Sequence, residues 1–206
     1  MNKSAVVTGC WGFIGNHLTK KLLQEGWFIY GIDKHTHVSN TVQLNYFSEN
    51  FPGKYEFIEE DITKIKRIPQ CDVVFNLAAE SHVENSFRNC NRFIKSNIDG
   101  VRNLLEIIDC TLSSYDKPLF FQISTDEVYG DIEQGQFDEQ SHLNPSNPYA
   151  ATKAAADLLI QSWARTHGLN YIIARPSNNY GIFQYHEKLI PLAIKRLKEN
   201  KLIRLH

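Results

Sequence analysis

Three glycines, Gly9, Gly12 and Gly15, constrain this chain more than any other feature. They follow a short apolar run, Ser4 to Thr8, and precede a helical pattern that puts Ile14, Leu18, Leu22 and Leu23 on one face. That pattern closes at Gly26, a residue suited to the left-handed turn after a helix. A strand that runs through a glycine-rich turn into a helix opens a βαβ crossover, and crossovers of this kind build parallel sheets.

The alternation continues down the chain. Phe28 to Ile32, Tyr55 to Glu59, Val73 to Leu77, Leu119 to Ser124 and Asn170 to Ala174 read as further strands. Helical spacing predicts one long amphipathic helix over Asn91 to Leu112, another from Pro148 that stacks Tyr149, Lys153, Ala156 and Ile160, and a third over Leu189 to Leu197. Lys34 to Lys54 is polar and irregular, with one helical turn expected around Val42 to Phe47. The expected fold is α/β, a doubly wound parallel sheet (Rossmann-like) spanning 1–206, with a substrate-binding portion starting near 182. Leu202 to Leu205 reads as the start of another strand, so the pattern stops inside an element at His206 and the rest of that portion is expected to be missing.

Composition narrows the function classes. A net charge of −1 and a pI near 6.7 provide no basic face for nucleic acid. No apolar run approaches the ~20 residues of a membrane span, and Met1-Asn2-Lys3-Ser4 leads straight into a strand. A soluble, cytoplasmic protein is expected. Cys10, Cys71, Cys90 and Cys110 form no C-x-x-C and are expected as reduced thiols. The histidines show no metal-ligand spacing, and no metal site is expected.

In an open α/β sheet, ligands bind beyond the carboxyl ends of the strands, and three such ends carry chemistry. Gly9, Gly12 and Gly15 form G-x-x-G-x-x-G, a spacing variant of the dinucleotide fingerprint: glycines permit the turn and close backbone approach, and the helix N-terminus meets phosphate. Asp33 ends the second strand, where a carboxylate accepts the adenosine ribose hydroxyls and repels a 2′-phosphate, favouring NAD over NADP; Lys34 beside it works against that exclusion. Cys10 and Trp11 are bulky for such a loop. The strand at Leu119 ends in Ser124, Thr125, Asp126 and Glu127, two hydroxyls followed by two carboxylates. Tyr149 and Lys153 lie at i and i+4, so both project from one helix face. A phenol titrates near 10; making it a base at neutral pH requires about 4 kcal/mol of preferential stabilisation of phenolate, which an ammonium and a nicotinamide cation can supply.

The chain resembles the extended short-chain dehydrogenases/reductases, and within them the nucleoside-diphosphate-glucose 4,6-dehydratases. The resemblance rests on the stretches 8–15, 33–34, 61–62, 77–83 (Leu-Ala-Ala-Glu-Ser-His-Val), 124–130 (Ser-Thr-Asp-Glu-Val-Tyr-Gly), Tyr149-x-x-x-Lys153, 177–181 (Ser-Asn-Asn-Tyr-Gly) and 187–191 (Glu-Lys-Leu-Ile-Pro). Asn85-Ser86-Phe87 and 147–153 are also similar to UDP-glucose dehydratases of rhamnose synthesis.

The resemblance implies a nucleotide-sugar substrate, dTDP-glucose or UDP-glucose, and a homodimer paired through the helices at Asn91–Leu112 and Tyr149–His167. It implies that Tyr149, assisted by Lys153 and Thr125, takes the proton of the sugar 4-hydroxyl while NAD takes the C4 hydride. Glu127 then removes the C5 proton as base, Asp126 protonates the departing 6-hydroxyl as acid, and the hydride returns to C6. Adjacent carboxyls push their pKa values apart, which suits that division. By the same resemblance Phe13, Ile14, Asp33, Lys34, Asp61, Ile62, Leu77, Ala78, Ala79, Ser96 and Asn179 join the glycines, Tyr149 and Lys153 around NAD. Ser81, Asn178, Glu187, Lys188, Leu189 and Pro191 join Thr125 around the substrate, and His82 is read as structural. Sugar-nucleotide 4-epimerases and decarboxylases share the loop and the Tyr–Lys pair but need no acid–base pair for water loss. A catalytically incomplete NAD-binding module is the reading from a different class.

Overall fold

The structure is a computed structural model that describes residues 3–203 apart from 37, 41 and 112–116. Six strands form one parallel sheet: β1 (Ser4–Thr8), β2 (Phe28–Asp33), β3 (Tyr55–Glu59), β4 (Val73–Asn76), β5 (Leu119–Ile123) and β6 (Tyr171–Ala174). Their order is β3-β2-β1-β4-β5-β6, so the direction of winding reverses between β1 and β4. That switch point opens a crevice at the carboxyl edge, where side chains from both halves meet.

Helices cover both faces. On one face α1 (Phe13–Gln24) and α2 (Val42–Asn50) cover β1 to β3, with Leu22, Leu23, Ile29 and Phe47 buried together. On the other, Val101, Leu104, Leu105 and Ile108 of α5 (Gly100–Thr111) meet Ala156 and Ile160 of α6 (Pro148–His167) over Val6, Val74 and Phe120. The central strands are nearly all apolar because both of their faces are covered.

Several elements differ from the sequence pattern. The turn expected at Val42 is a full helix to Asn50. A short helix not anticipated from periodicity, α3 (Val83–Arg88), precedes the long one. The helix expected to run unbroken from Asn91 begins as α4 (Cys90–Phe93), widens into a π-helical segment, Ile94–Asp99, and continues as α5. A π turn adds a residue to one turn while leaving the apolar stripe nearly in phase. Lys201–Ile203 lie outside any strand, and the rest of the strand expected there, like the end of the helix at Leu112, falls outside the described residues.

The carboxyl edge is levelled by a buried polar ladder. Thr8 Oγ1 donates to Asn76 Oδ1 at 2.6 Å, and Asn76 Nδ2 donates to Gln122 Oε1 at 2.8 Å, across three neighbouring strands. The amides of Leu77 and Ala78 return to Thr8 Oγ1 at 3.2 Å. The loop leaving β4 therefore starts from a fixed height beside the glycine loop.

In that loop two glycines are required sterically. Gly9 has φ +67°, and a Cβ there would lie 2.8 Å from the Ala78 amide nitrogen. A Cβ on Gly15 would lie 2.0 Å from the Gly9 carbonyl oxygen, because the first turn of α1 crosses the strand end in backbone contact. Gly15→Ala is expected to lower folding stability by about 1–3 kcal/mol, the cost of overpacking a site that cannot yield. Urea unfolding of the variant against the parent measures it.

Candidate active site

Trp11 and Cys10, the two bulky residues of the glycine loop, point under it. Trp11 is buried and stacks on Phe57 of β3 with ring centroids 4.1 Å apart. Cys10 Sγ lies 3.8 Å from the Tyr55 hydroxyl, against the Cα side of Gly31. Both side chains are core, so the loop's upper surface is backbone, as a phosphate cradle demands. Asp33 ties this surface to β2: its Oδ2 accepts from the Trp11 amide at 2.8 Å and its Oδ1 from the Lys34 amide at 2.8 Å. Burial pushes the Asp33 carboxyl up to about 6, against the pull of the Trp11 and Lys34 amides and the Lys34 charge. Lys34 Nζ is 3.0 Å from Asp61 Oδ2. This pairing engages the one charge that opposed NADP exclusion in the sequence reading. Burial would raise the Asp61 carboxyl, but the Thr63 amide and Lys34 outweigh it and hold it below the usual range.

Two adjoining cavities open at the switch point. The first is lined by Gly9, Gly12, Asp33, Lys34, Asp61 and Ile62, and also by Leu77, Ala78, Ala79, Ser81 and Ser96. The second again includes Gly9 and Gly12 and adds Phe13, Ile14 and Gly15, then Thr125, Asp126, Glu127, Tyr149 and Lys153. Asn178, Asn179, Glu187 and Lys188 close its far side. Leu189 and Pro191 line neither cavity; they stand at the start of α7 (Leu189–Lys198), with Leu189 exposed. A cradle that a Cβ would fill, a carboxylate at the end of β2 and a continuous cavity between them fit a dinucleotide.

The second cavity collects the acid–base groups. Thr125 caps a single 3₁₀ turn, Asp126–Tyr129, by accepting from the Glu127 amide at 3.3 Å, and donates to Asp126 Oδ1 at 3.3 Å. Glu127 Oε2 accepts from Asn147 Nδ2 at 2.9 Å, while Asn147 Oδ1 caps α6 through the Ala150 amide. The cap of α6 thus holds a carboxylate of the 3₁₀ turn. Tyr149 is buried and lines the same cavity as Thr125. Its phenol is pushed up to about 12, by burial first and then by the charges of Glu127 and Asp126, with Thr125 acting in the opposite sense. The lowered phenol expected from the Tyr–Lys spacing is therefore not a property of these side chains alone. Lys153 explains part of that: its Nζ donates to the Ile123 carbonyl at 2.6 Å, and burial drops it to about 8 although Asp157 pulls it back up.

Two positions missed by the sequence reading, Asn147 and Asn97, complete the frame. Asn97, carried inward by the π-helical segment, donates to the Glu80 carbonyl at 3.0 Å and to Thr152 Oγ1 at 3.0 Å, and accepts from the Glu80 amide at 2.9 Å. It fixes the 77–82 loop to α6. Lys188 Nζ donates to the Ser81 carbonyl at 3.0 Å, and His82 Nε2 lies 3.9 Å from Glu187 Oε2, so the 187–188 segment is drawn across the first cavity's mouth. Asn147 and Asn97 carried one visible signal each, a cap before Pro148 and a polar residue on an apolar helix. Neither specifies a partner.

The class is thereby defined: a doubly wound dinucleotide-type sheet bearing the Tyr–Lys pair of the short-chain dehydrogenases/reductases. The chain belongs to the GDP-mannose 4,6-dehydratase family, whose model matches residues 6–206. It is 41% identical over 203 residues to dTDP-glucose 4,6-dehydratase of Haemophilus influenzae, covering 92% of this chain and 60% of that one. The fold is similar to a double mutant of the Streptomyces venezuelae dTDP-glucose 4,6-dehydratase DesIV solved with NAD and DAU, at TM-score 0.86 and 32% identity over 98% of this chain and 64% of that one. It is also similar to UDP-glucuronic acid 4-epimerase of Bacillus cereus, solved with UDP-glucuronic acid and NAD, at TM-score 0.86 and 28% identity over 96% and 64%. The chain spans about 60% of the length of the curated relatives it matches.

Two measurements follow from the buried charges. Asp33 is ionised above about 6, and only the carboxylate accepts ribose hydroxyls at both oxygens. NAD affinity is expected to fall about tenfold between pH 7 and pH 5 and to be flat with pH in Asp33→Asn, read by fluorescence titration. For Lys153, the folded state sheds its proton above about 8 while the unfolded chain keeps it to 10.5, so stability rises with pH across that window. Lys153→Met is expected to be more stable than the parent at pH 7, with the gap closing by about 3 kcal/mol toward pH 10 in denaturant titrations.

Proposed function

We propose that the protein is an NAD-dependent nucleotide-sugar 4,6-dehydratase, a hydro-lyase, acting on dTDP-glucose, with UDP-glucose the alternative substrate. One observation carries this reading: Asp126 and Glu127 share a cavity with Tyr149, Lys153 and Thr125. Oxidation at C4 alone needs only the phenol and ammonium. A pair of carboxylates on the same sugar answers to a second event, loss of water across C5 and C6.

NAD, held by residues that line the two cavities, would supply a reversible hydride acceptor. The residues do the rest. Thr125 orients the 4-hydroxyl and Tyr149 takes its proton, with Lys153 stabilising the phenolate. The resulting ketone acidifies C5, Glu127 removes that proton, and Asp126 protonates the leaving 6-hydroxyl. Ser81, Asn178, Glu187 and Lys188 hold the nucleotide sugar, with Leu189 and Pro191 beside them at the start of α7. Asn179 and Ser96 face NAD.

The base of the nucleotide differs among the family description, the curated relative and the solved epimerase, so it is the less constrained half of the substrate. The epimerase reading keeps the C4 chemistry and leaves Asp126 and Glu127 without a task. We further propose a cytoplasmic homodimer paired through the helices at Asn91–Leu112 and Tyr149–His167, where Ile94 and Leu158 are exposed. No helix among the described residues is long and apolar enough to cross a membrane.

The full-length enzyme incubated with dTDP-glucose or UDP-glucose is expected to yield a 4-keto-6-deoxy sugar, seen by its alkaline absorbance; no such product from either rejects the reading. Asp126→Asn is expected to keep C4 oxidation and to slow water loss about 10²-fold or more, the usual scale of a general acid. Stopped-flow absorbance of the reduced coenzyme separates the two steps.

A further inference from the structure

One buried charged group remains outside the mechanism. Asp157 lies one helical turn beyond Lys153 on α6, in the stripe that begins with Tyr149, and it is fully buried. Its Oδ2 accepts from Ser124 Oγ at 2.9 Å and from Arg175 Nε at 3.0 Å. Arg175, just past β6, passes the contact on: its Nη1 donates to the Tyr129 hydroxyl at 2.7 Å, and the guanidinium lies 5.0 Å from the Tyr129 ring centroid. Tyr129 is in turn stacked on Phe137 at 5.3 Å.

Ser124 immediately precedes Thr125, and Tyr129 closes the 3₁₀ turn that carries Asp126 and Glu127. One carboxylate oxygen therefore grips the turn at its entrance directly and at its exit through Arg175. A buried ion pair adds little net stability, because desolvation offsets the attraction and apolar residues of equal volume pack as well. Such a pair does fix direction: charge-assisted bonds at two ends of a four-residue turn leave it no freedom to rotate about the strand end. Displacing a catalytic group by about 1 Å costs about 10²-fold in rate, so the placement of this turn matters more than its stability.

We propose that Asp157 is a positioning residue that, through Ser124 and through Arg175 to Tyr129, sets the Asp126–Glu127 turn against the Tyr149–Lys153 face of α6. The assignment deepens the dehydratase reading and rests on it. A clamp on the turn acts on water loss. The proton transfer at C4 is carried by Tyr149 and Lys153 of α6 and shares with the turn only Thr125 at its entrance, so it feels the far end of the clamp less.

The test uses the full-length enzyme and Tyr129→Phe, which removes only the far bond and keeps the ring on Arg175 and Phe137. Water elimination is expected to drop about tenfold and C4 oxidation to stay within about twofold, with reduced coenzyme accumulating during turnover. Asp157→Asn is expected to slow elimination further and, because Asp157 also supports the Lys153 ammonium, to slow C4 oxidation with it, so the split between the steps is read in Tyr129→Phe. Elimination at the parental rate in Tyr129→Phe, or an equal loss in both steps, overturns the assignment while leaving the dehydratase reading intact. A parent that oxidises C4 without losing water overturns the dehydratase reading and the assignment with it.

Discussion

The ladder from Thr8 through Asn76 to Gln122 sets the geometry on which the site depends. A parallel sheet has no intrinsic reason to end its central strands level, since each can slip along its neighbour by two residues without exposing its apolar face. Three buried polar side chains that satisfy one another forbid that slip, because a shifted register would leave an amide or hydroxyl unpaired in the core. With β1, β4 and β5 level, the glycine loop, the 77–82 loop and the Ser124–Tyr129 turn leave the sheet from one plane. The cavities are the space between those three departures.

On that plane the site divides into a half that binds and a half that reacts. The binding half, around Gly9, Asp33 and Asp61, is made of backbone amides and paired charges. Its bulky residues, Cys10 and Trp11, are turned into the core. The half proposed to react is made of titratable groups lining one cavity, with Tyr149 and Lys153 buried. Burial moves Tyr149 and Lys153 in directions opposite to those catalysis would want. The low dielectric that displaces them also makes any charge placed between them count for more.

Much of this was legible in the sequence, for identifiable reasons. Strand ends, the glycine turn and the helix start at Pro148 are local signals, and each fell where its chemistry put it. Tyr149 and Lys153 were legible because helical spacing alone puts them on one face. The residues that stayed hidden act across distance in sequence. Asn97 needed Glu80 and Thr152 from a loop and another helix, Asp157 needed Ser124 and Arg175 from just past two strands, and Trp11 needed Phe57 from β3. The short helix Val83–Arg88 was missed because six residues are too few for periodicity to register. The upward displacement of Tyr149 has no local signature, because the burial that causes it is set by elements distant in sequence.

The stack of Trp11 on Phe57 bears on how portable this cofactor loop is. A glycine loop is commonly treated as a cassette that can be grafted between scaffolds. Here its underside is an indole seated on an aromatic ring two strands away, with Cys10 fitted against Gly31 and Tyr55. Residues 9 to 15 transplanted without β3 would keep every amide of the motif and lose the floor that aims them. The functional unit is the loop together with the strands beneath it.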